Sequence, residues 1–136
     1  MPDIPWFTPT PPAPDAEVHV MASRFETETL LGAVRFFLKA PGIINQIRKA
    51  PGAHGVALRA RILDRTFLTL SAWEDPGALH RFARSEPHRS SSRAAAAFMR
   101  ESTFTFWTVP ASALPITWAE AEHRLAEEAA RPQRTA

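Results

Sequence analysis

The sequence contains neither cysteine nor tyrosine. Without cysteine the chain cannot form a disulfide, and it has no thiolate to act as a nucleophile or to bind a metal or a haem iron. Without tyrosine it has no phenol to serve as a general acid and no tyrosinate ligand. Several chemistries are therefore excluded before any motif is considered.

Lysine is also scarce, because only two of the sixteen basic residues are lysines. The net charge is +2 and the pI is about 9.9. With no cysteine or tyrosine, almost nothing titrates between neutral pH and the pKa of arginine, so a small positive charge persists to high pH. The arginines alternate with acidic residues and form no basic run. The high pI therefore predicts neither nucleic-acid binding nor a membrane-surface site.

Long apolar runs are missing as well. No stretch approaches the roughly 20 residues that a bilayer-spanning helix needs, and no signal peptide is visible at the start of the sequence. We therefore expect a cytoplasmic protein. Its 136 residues predict one domain with a single core.

Proline, by contrast, is concentrated at the start of the chain, where residues 1–16 hold six of the thirteen prolines. Repeated proline fixes φ and removes backbone donors, which predicts an extended arm outside the core sheet. Trp6 and Phe7 are unusual in such an arm, and we expect them to clamp it onto the body or onto a partner subunit. We predict one domain over residues 17–130 and a disordered tail over residues 131–136.

Hydrophobic periodicity and turn residues define the predicted elements of that domain. The predicted strands are Val18–Phe25, Gly55–Leu63, Arg65–Trp73 and Thr103–Val109. The predicted helices run from Thr29 to Pro41-Gly42, from Ile43 to Lys49, from Asp75-Pro76-Gly77 to Ser85, from Pro87 to about Arg100, and from Thr117 to about Ala130. The order β-α-β-β-α-β with a C-terminal helix predicts an α+β, ferredoxin-like fold.

Alternation along the strands separates a plain apolar face from a mixed face. On the third strand, Phe67, Thr69, Ser71 and Trp73 share the mixed face, which suits a ligand pocket with a few placed polar groups unless it faces water. We expect the helices to cover the plain face. The mixed face would then be an apolar patch too large for a soluble monomer, which predicts a homodimer with its pocket between sheet and helix or inside the joint barrel. The large side chains assigned to this patch are Met21, Phe25, Phe67, Trp73 and Trp107.

His88 is the strongest haem ligand that this sequence offers. It lies in the first turn of the helix opened by Pro87, and the residues that share its face, Ser91, Ser92 and Ala95, are small enough to leave room for a flat ring. The alternative is a histidine that caps the helix by bonding a nearby backbone group.

Other candidate residues carry two interpretations each. Arg59 and Arg61 suit a haem propionate or a substrate carboxylate, but strand arginines more commonly face solvent or pair with acidic residues. Arg24 either reaches the mouth of the pocket or pairs with Glu26 or Glu28. Trp73 is either a pocket wall or part of the dimer core.

Several short motifs together resemble the spheroidene-monooxygenase family, within the antibiotic-biosynthesis-monooxygenase-like dimeric α/β barrels. The motifs are Met21-Ala-Ser-Arg24, Ser71-Ala-Trp73-Glu74, Leu79-x-x-Phe82-Ala83, His88, and Phe98-Met-Arg-Glu101 followed by Phe104. The resemblance covers about residues 18–128. It implies a dimeric ferredoxin-like fold and an oxygenase reaction in which haem is implicated, with His88 as the ligand of the haem iron. The chain is shorter than the carotenoid enzymes, so their substrate does not transfer to it.

The leading hypothesis is a haem-dependent monooxygenase or related oxidoreductase acting on a small apolar or aromatic metabolite in bacterial specialised metabolism. Its haem is expected at His88, Ser92 and Arg59. The residues expected around its substrate are Met21, Ser23, Arg24, Phe67, Ser71, Trp73, Phe82 and Trp107.

Three alternatives remain open. One is a cofactor-free oxygenase or cyclase on the same barrel, where the substrate itself activates oxygen in a dry pocket. Another is a haem-degrading protein, which ranks lower because those proteins have an asparagine on the first strand and the sole asparagine here is Asn45. The last is a non-enzymatic ligand carrier, since a fold does not specify a function.

Overall fold

Five antiparallel strands form one sheet in the computed structural model, which describes residues 3–85 and 99–130. The strands are β1 (Asp3–Phe7), β2 (Glu17–Thr27), β3 (Ala53–Arg61), β4 (Thr66–Trp73) and β5 (Met99–Pro110). They lie in the order β1-β3-β4-β2-β5. Without β1, this is the strand order of the ferredoxin-like fold, so the predicted α+β class is confirmed.

The helices of the described chain are α1 (Leu30–Arg48), α2 (Pro76–Arg84) and the C-terminal α3 (Trp118–Ala130). Single 3-10 turns follow β3 at Ile62–Asp64 and β5 at Ala111–Ala113. None of the described helices is both long enough and apolar enough to cross a membrane.

The proline-rich start of the chain contributes a strand, so the prediction that it stays outside the sheet was wrong. Asp3 lies opposite Arg59, and Phe7 lies opposite Val56. Pro5 is tolerated because β1 is an edge strand, where only one side of the backbone pairs. Trp6 packs so closely on β3 that a Cβ added to Gly55 would lie 1.9 Å from the Trp6 ring.

The predicted helix break at Pro41-Gly42 was also wrong, because α1 continues through Pro41 to Arg48. An interior proline removes one backbone hydrogen bond and costs about 3 kcal/mol. The second half of the helix packs Ile43, Ile44 and Ile47 against the cluster around Trp73. This burial offsets the local cost.

Three of the predicted helix starts, at Thr29, Asp75 and Thr117, agree with the structure. The Gly32 N–H donates to Thr29 Oγ1 at 3.0 Å before α1, and the Ala78 N–H donates to Asp75 Oδ1 at 2.8 Å in the first turn of α2. The Glu120 N–H donates to Thr117 Oγ1 at 3.2 Å at the start of α3. These caps satisfy donors that the first turn of a helix leaves unpaired.

The predicted end of the helix opened by Pro87 needs correction, because β5 already begins at Met99. Pairing with β2 extends this strand at both ends beyond the predicted Thr103–Val109. Residues 86–98 lie outside the described parts of the chain, so the rest of that predicted helix is untested.

Helices cover both faces of the sheet, whereas the prediction left the mixed face bare. Met21 lies opposite Ser71 on β4 and Phe106 on β5, so the mixed positions of these strands share one face, and α1 and α2 cover it. The expectation that this face is bare was wrong, since Phe67 and Trp73 are each only 1% exposed. We call this side of the sheet the α1/α2 face.

The plain face packs against α3, and we call it the α3 face. Val20, Leu68 and Leu70 on the sheet meet Ala121 and Leu125 on the helix in one buried cluster. Trp107 belongs to this cluster, so it lies across the sheet from Trp73. Period-two alternation separated the two sets of residues but did not show which helices cover each one.

Candidate functional site

A cavity of about 410 Å³ lies between α1, α2 and the α1/α2 face of the sheet. This volume falls within the range of about 300–1,000 Å³ that is typical of small-molecule sites. Its walls are mainly apolar and aromatic, including Met21, Phe36, Ile44, Ile47, Trp73, Phe82, Phe104 and Phe106.

Three hydroxyl groups lie on the floor of this cavity, on β2 and β4. The side chains of Ser23 and Thr69 are cross-strand neighbours, and their hydroxyls are hydrogen-bonded to each other. Ser71 Oγ accepts a 2.8 Å hydrogen bond from Trp73 Nε1. Ser23 and Ser71 are buried. We call Ser23, Thr69 and Ser71 the hydroxyl strip.

Trp73 and Phe82 form an aromatic pair at one side of the cavity. Their ring centroids are 5.2 Å apart and their planes meet at 36°. The strand β4 holds Trp73, and the capped helix α2 holds Phe82. The Trp73 indole is held by the contact of its ring with Phe82 and by the hydrogen bond of its N–H to Ser71, so this wall is preorganised for a flat ligand.

Ionisable groups lie at the borders of the cavity. The exposed side chains of Lys39 and His80 contribute to its lining. His19 stacks on Phe106, with ring centroids 5.7 Å apart. Burial lowers the pKa of His19, the charge of His80 lowers it further, and Asp75 opposes the shift. The imidazole of His19 is therefore mainly neutral at neutral pH and able to accept a proton.

The structure brings five of the predicted pocket residues together around the cavity: Met21, Ser23, Ser71, Trp73 and Phe82. Their role in binding stays a prediction. Phe67 instead packs beside Phe36, with centroids 4.6 Å apart, in a separate cluster with Ala33 and Ala60.

Two other predicted pocket residues lie elsewhere. Trp107 is on the α3 face, beneath the guanidinium of Arg124, which lies 4.4 Å from a ring centroid. Within the described chain its indole N–H has no hydrogen-bond acceptor. Arg24 points away from the cavity side of β2 by strand alternation, and it pairs with Glu26 at 3.9 Å, as one of the two interpretations predicted.

Of the three residues predicted to hold haem, the structure describes only Arg59. Arg59 and Arg61 each contact Glu122 of α3 at 3.4 Å, and Arg59 also lies over Trp118. Arg59 is therefore across the sheet from the cavity. His88 and Ser92 lie outside the described residues, so the predicted iron ligand is untested.

Metal-binding side chains do not cluster in the described chain either. Over residues 3–85 and 99–130, no group of three histidine, aspartate or glutamate side chains is placed to hold a metal ion.

Several cavity residues were missed by the sequence reasoning. Thr69 was placed on the mixed face with Phe67 and Ser71 but was not included among the residues expected around the substrate. Ile44 and Ile47 were not recognised because they were assigned to a separate short helix after a break at Pro41-Gly42. His80 was assigned to solvent because it does not share the apolar stripe of α2; it is indeed exposed, yet it borders the cavity.

A comparison with known protein families matches residues 30–132 to the family described as Domain of unknown function (DUF3291). The chain belongs to this family. Among curated protein sequences, none gives a significant match. The more specific likeness to spheroidene monooxygenases is not confirmed.

The fold is similar to those of several solved structures, among them an antibiotic biosynthesis monooxygenase. SnoaB, a cofactor-independent oxygenase from Streptomyces nogalater, is 19% identical over 69% of this chain and 94% of its own, with a TM-score of 0.54. An antibiotic biosynthesis monooxygenase is 16% identical over 66% of this chain and 95% of its own, with a TM-score of 0.57. A conserved protein from Methanosarcina mazei is 15% identical over 68% and 91%, with a TM-score of 0.57. At these identities the likeness shows the fold alone.

Proposed function

We propose that this protein is an oxygenase that needs no prosthetic group and that acts on a small apolar or aromatic metabolite held in the cavity. The observation that carries the proposal is the cavity itself, whose aromatic walls enclose a floor with a few hydroxyl groups. The fold that it shares with SnoaB, a cofactor-independent oxygenase, supports the same choice. We therefore prefer the cofactor-free alternative to the haem-dependent hypothesis.

The chemistry requires an electron-rich substrate, because most difficult oxidations otherwise depend on a cofactor. A substrate CH₂ group beside a carbonyl or an aromatic ring loses a proton to a base and becomes a carbanion or enolate. This species transfers one electron to O₂, and the two radicals combine into a peroxide, which takes up a proton. Loss of water then leaves a C=O group. One oxygen atom of O₂ enters the product and the other leaves as water.

The protein would contribute binding, orientation and exclusion of water. The aromatic walls suit a flat apolar substrate, and an apolar environment strengthens every polar contact made inside it. His80 borders the cavity and His19 lies next to the lining residue Phe106. One of these imidazoles is the expected acceptor of the substrate proton.

The direct test is oxygen uptake by the purified protein with a panel of enolisable aromatic ketones and polyhydroxylated naphthalenes. We expect turnover without added haem, flavin or metal, and no loss of rate after treatment with a chelator. Labelled O₂ should place one label in the organic product and one in water. Absence of uptake across the panel would contradict the proposal.

The haem hypothesis makes a different prediction from the same preparation. Reconstitution with haem would give a Soret band, and His88→Ala would abolish the histidine-type spectrum. If activity appears only with bound haem and depends on His88, the cofactor-free proposal is overturned.

We also propose that the protein is a homodimer, although not for the reason first expected. The α1/α2 face is covered by helices, but β5 is an edge strand of the sheet, and Phe104 and Phe106 on it are 45% and 53% exposed. A second copy would cover these rings with an interface of about 1,200–2,000 Å². Sedimentation that gives only a 15.1 kDa species at micromolar concentration would contradict this assignment.

A further inference from the structure

We propose that the hydroxyl strip binds an anionic oxygen of the substrate, with the Ser71 hydroxyl as the principal donor. This inference rests on the proposed function, because an enolate or phenolate is the form of substrate that would need such a donor. It assigns the substrate to the class of apolar or aromatic molecules that carry an ionisable enol or phenol oxygen on one edge.

Ser71 has a hydroxyl hydrogen for which the described residues provide no acceptor. The indole N–H of Trp73 can only donate, so Ser71 Oγ is the acceptor in their 2.8 Å hydrogen bond. The hydrogen on Ser71 Oγ then requires a separate acceptor. Within the described chain no carbonyl or carboxylate oxygen accepts it, although Ser71 is only 4% exposed. Because Ser71 lines the cavity, the available direction for this donor is toward a ligand.

The Ser23–Thr69 pair leaves a second hydrogen on the same floor. One hydroxyl donates to the other, so the accepting hydroxyl keeps its own hydrogen. No further acceptor in the described chain takes this hydrogen, and both side chains line the cavity. Residues two apart on a strand are about 6.6 Å apart, so Ser71 and the Ser23–Thr69 pair, whichever of its hydroxyls keeps the hydrogen, place the two donors on one edge of a bound ring system.

The surroundings make these donors strong. The Trp73 N–H polarises the Ser71 hydroxyl, because hydrogen bonds in a chain strengthen each other. The walls around the strip are largely apolar, and in such an environment a hydrogen bond to a charged oxygen contributes more than it does in water. A buried hydroxyl that lacks an acceptor is costly to leave unpaired. A ligand oxygen removes this cost.

The test uses 4-nitrophenol as the probe, because its phenolate is yellow and its ionisation is read directly by absorbance. The probe is titrated against pH in the presence of excess wild-type protein and of Ser71→Ala. We expect the wild type to bind the phenolate at least roughly tenfold more tightly than Ser71→Ala does, because a hydrogen bond to a charged group typically contributes that much affinity or more. The apparent pKa of the bound probe should accordingly be lower, by about one unit, in the wild type than in Ser71→Ala.

Two further variants separate hydrogen bonding from packing. Ser71→Thr keeps a hydroxyl at the same position and should restore most of the phenolate preference. Thr105→Val removes a hydroxyl on the opposite face of the same sheet, since Thr105 pairs with Ala22 of the α3 face, and it should leave the probe titration unchanged. Nitrobenzene, which lacks the ionisable oxygen, should bind wild type and Ser71→Ala with similar affinity.

Equal pKa values for the bound probe in wild type and Ser71→Ala would overturn the assignment, as would failure of Ser71→Thr to restore the preference. A wild type that binds neither probe would overturn it too. The measurement involves no turnover, so it is separate from the oxygen-uptake test. If the wild type binds the phenolate but takes up no oxygen, the subsite is retained and the oxygenase is rejected. If oxygen uptake is unaffected by Ser71→Ala and the probe titration is also unchanged, the oxygenase is retained and the subsite is rejected.

Discussion

The two faces of the sheet have the same alternating sequence pattern but are covered differently. On the α3 face, the small side chain of Ala121 is fully buried, and the helix packs with Leu68, Leu70 and Leu125 in one cluster. On the α1/α2 face, bulkier groups such as Phe36 and Ile44 meet a floor of short hydroxyl side chains, and a cavity remains between them. The α3 face therefore forms hydrophobic core, whereas the α1/α2 face forms both hydrophobic core and the wall of a candidate ligand cavity.

The two buried tryptophans, Trp73 and Trp107, differ in the same way as the faces on which they lie. Trp73 on the α1/α2 face donates its N–H to Ser71 and lines the cavity. Trp107 on the α3 face is buried, and its N–H has no acceptor in the described chain. Both tryptophans were assigned to the pocket from the sequence, but only Trp73 lies there.

The largest expected effect comes from removing each indole. Trp73→Ala and Trp107→Ala should each lower the free energy of unfolding by about 3–5 kcal/mol, the usual cost of truncating a buried large aromatic. Only Trp73→Ala should also abolish ligand binding in the cavity. Urea denaturation and 4-nitrophenol titration of the two variants test this. A loss of binding in Trp107→Ala, at a temperature where it remains folded, would contradict the separation of the two faces.

A smaller effect is expected where the α3 face meets the proline-rich start of the chain. Gly55→Ala places a Cβ 1.9 Å from the ring of Trp6, so we expect a loss of about 1–3 kcal/mol from overpacking. Gly42→Ala is the matched control, because apart from the adjoining backbone of its own helix no atom lies within 4 Å of the added Cβ. Because Gly42 lies in the interior of α1, Gly42→Ala should raise the free energy of unfolding by roughly 0.5–1 kcal/mol. Thermal unfolding of both variants measures the difference.

Exchanging each tryptophan for phenylalanine sharpens the comparison. Trp73→Phe loses a hydrogen bond, which should cost about 0.5–1.5 kcal/mol beyond the change in ring size. Trp107→Phe removes a donor that is unpaired in the described chain, so it should be less destabilising than Trp73→Phe. Equal losses in chemical denaturation would mean that the Trp73–Ser71 bond does not distinguish the two sites.

The smallest effect concerns His19 at the border of the cavity. Burial, with repulsion from His80, lowers its pKa below the ordinary value of 6.5, and Asp75 opposes this shift. As the pH falls through 6.5, the unfolded chain takes up a proton before the folded chain does, so the free energy of unfolding falls. His19→Asn should flatten this part of the pH dependence. Denaturation of both proteins between about pH 5 and pH 8 measures it, and an identical slope in the variant would contradict the assignment.

Much of the fold was predictable because its signals are local. The caps at Thr29, Asp75 and Thr117 satisfy N–H groups within the same turn, so neighbouring residues are enough to identify them. The four strands β2 to β5 and the β3–β4 hairpin follow from period-two alternation and a short connection. Five of the predicted pocket residues, among them Ser71 and Trp73, gather around one cavity for the same reason.

The sequence by itself determined the α+β order, the three helix starts capped by Thr29, Asp75 and Thr117, and the division of each strand into two sets of side chains, because these depend on residues a few positions apart. Tertiary structure alone decided the rest. It kept α1 continuous through Pro41 by burying Ile43 and Ile47, and it added β1 to the sheet through a contact between Trp6 and Gly55. It also placed Trp107 and Arg59 across the sheet from the cavity, because the choice of face depends on which helix packs there. The choice of face depends on the burial energy between residues that are far apart in the sequence, and no local pattern encodes it.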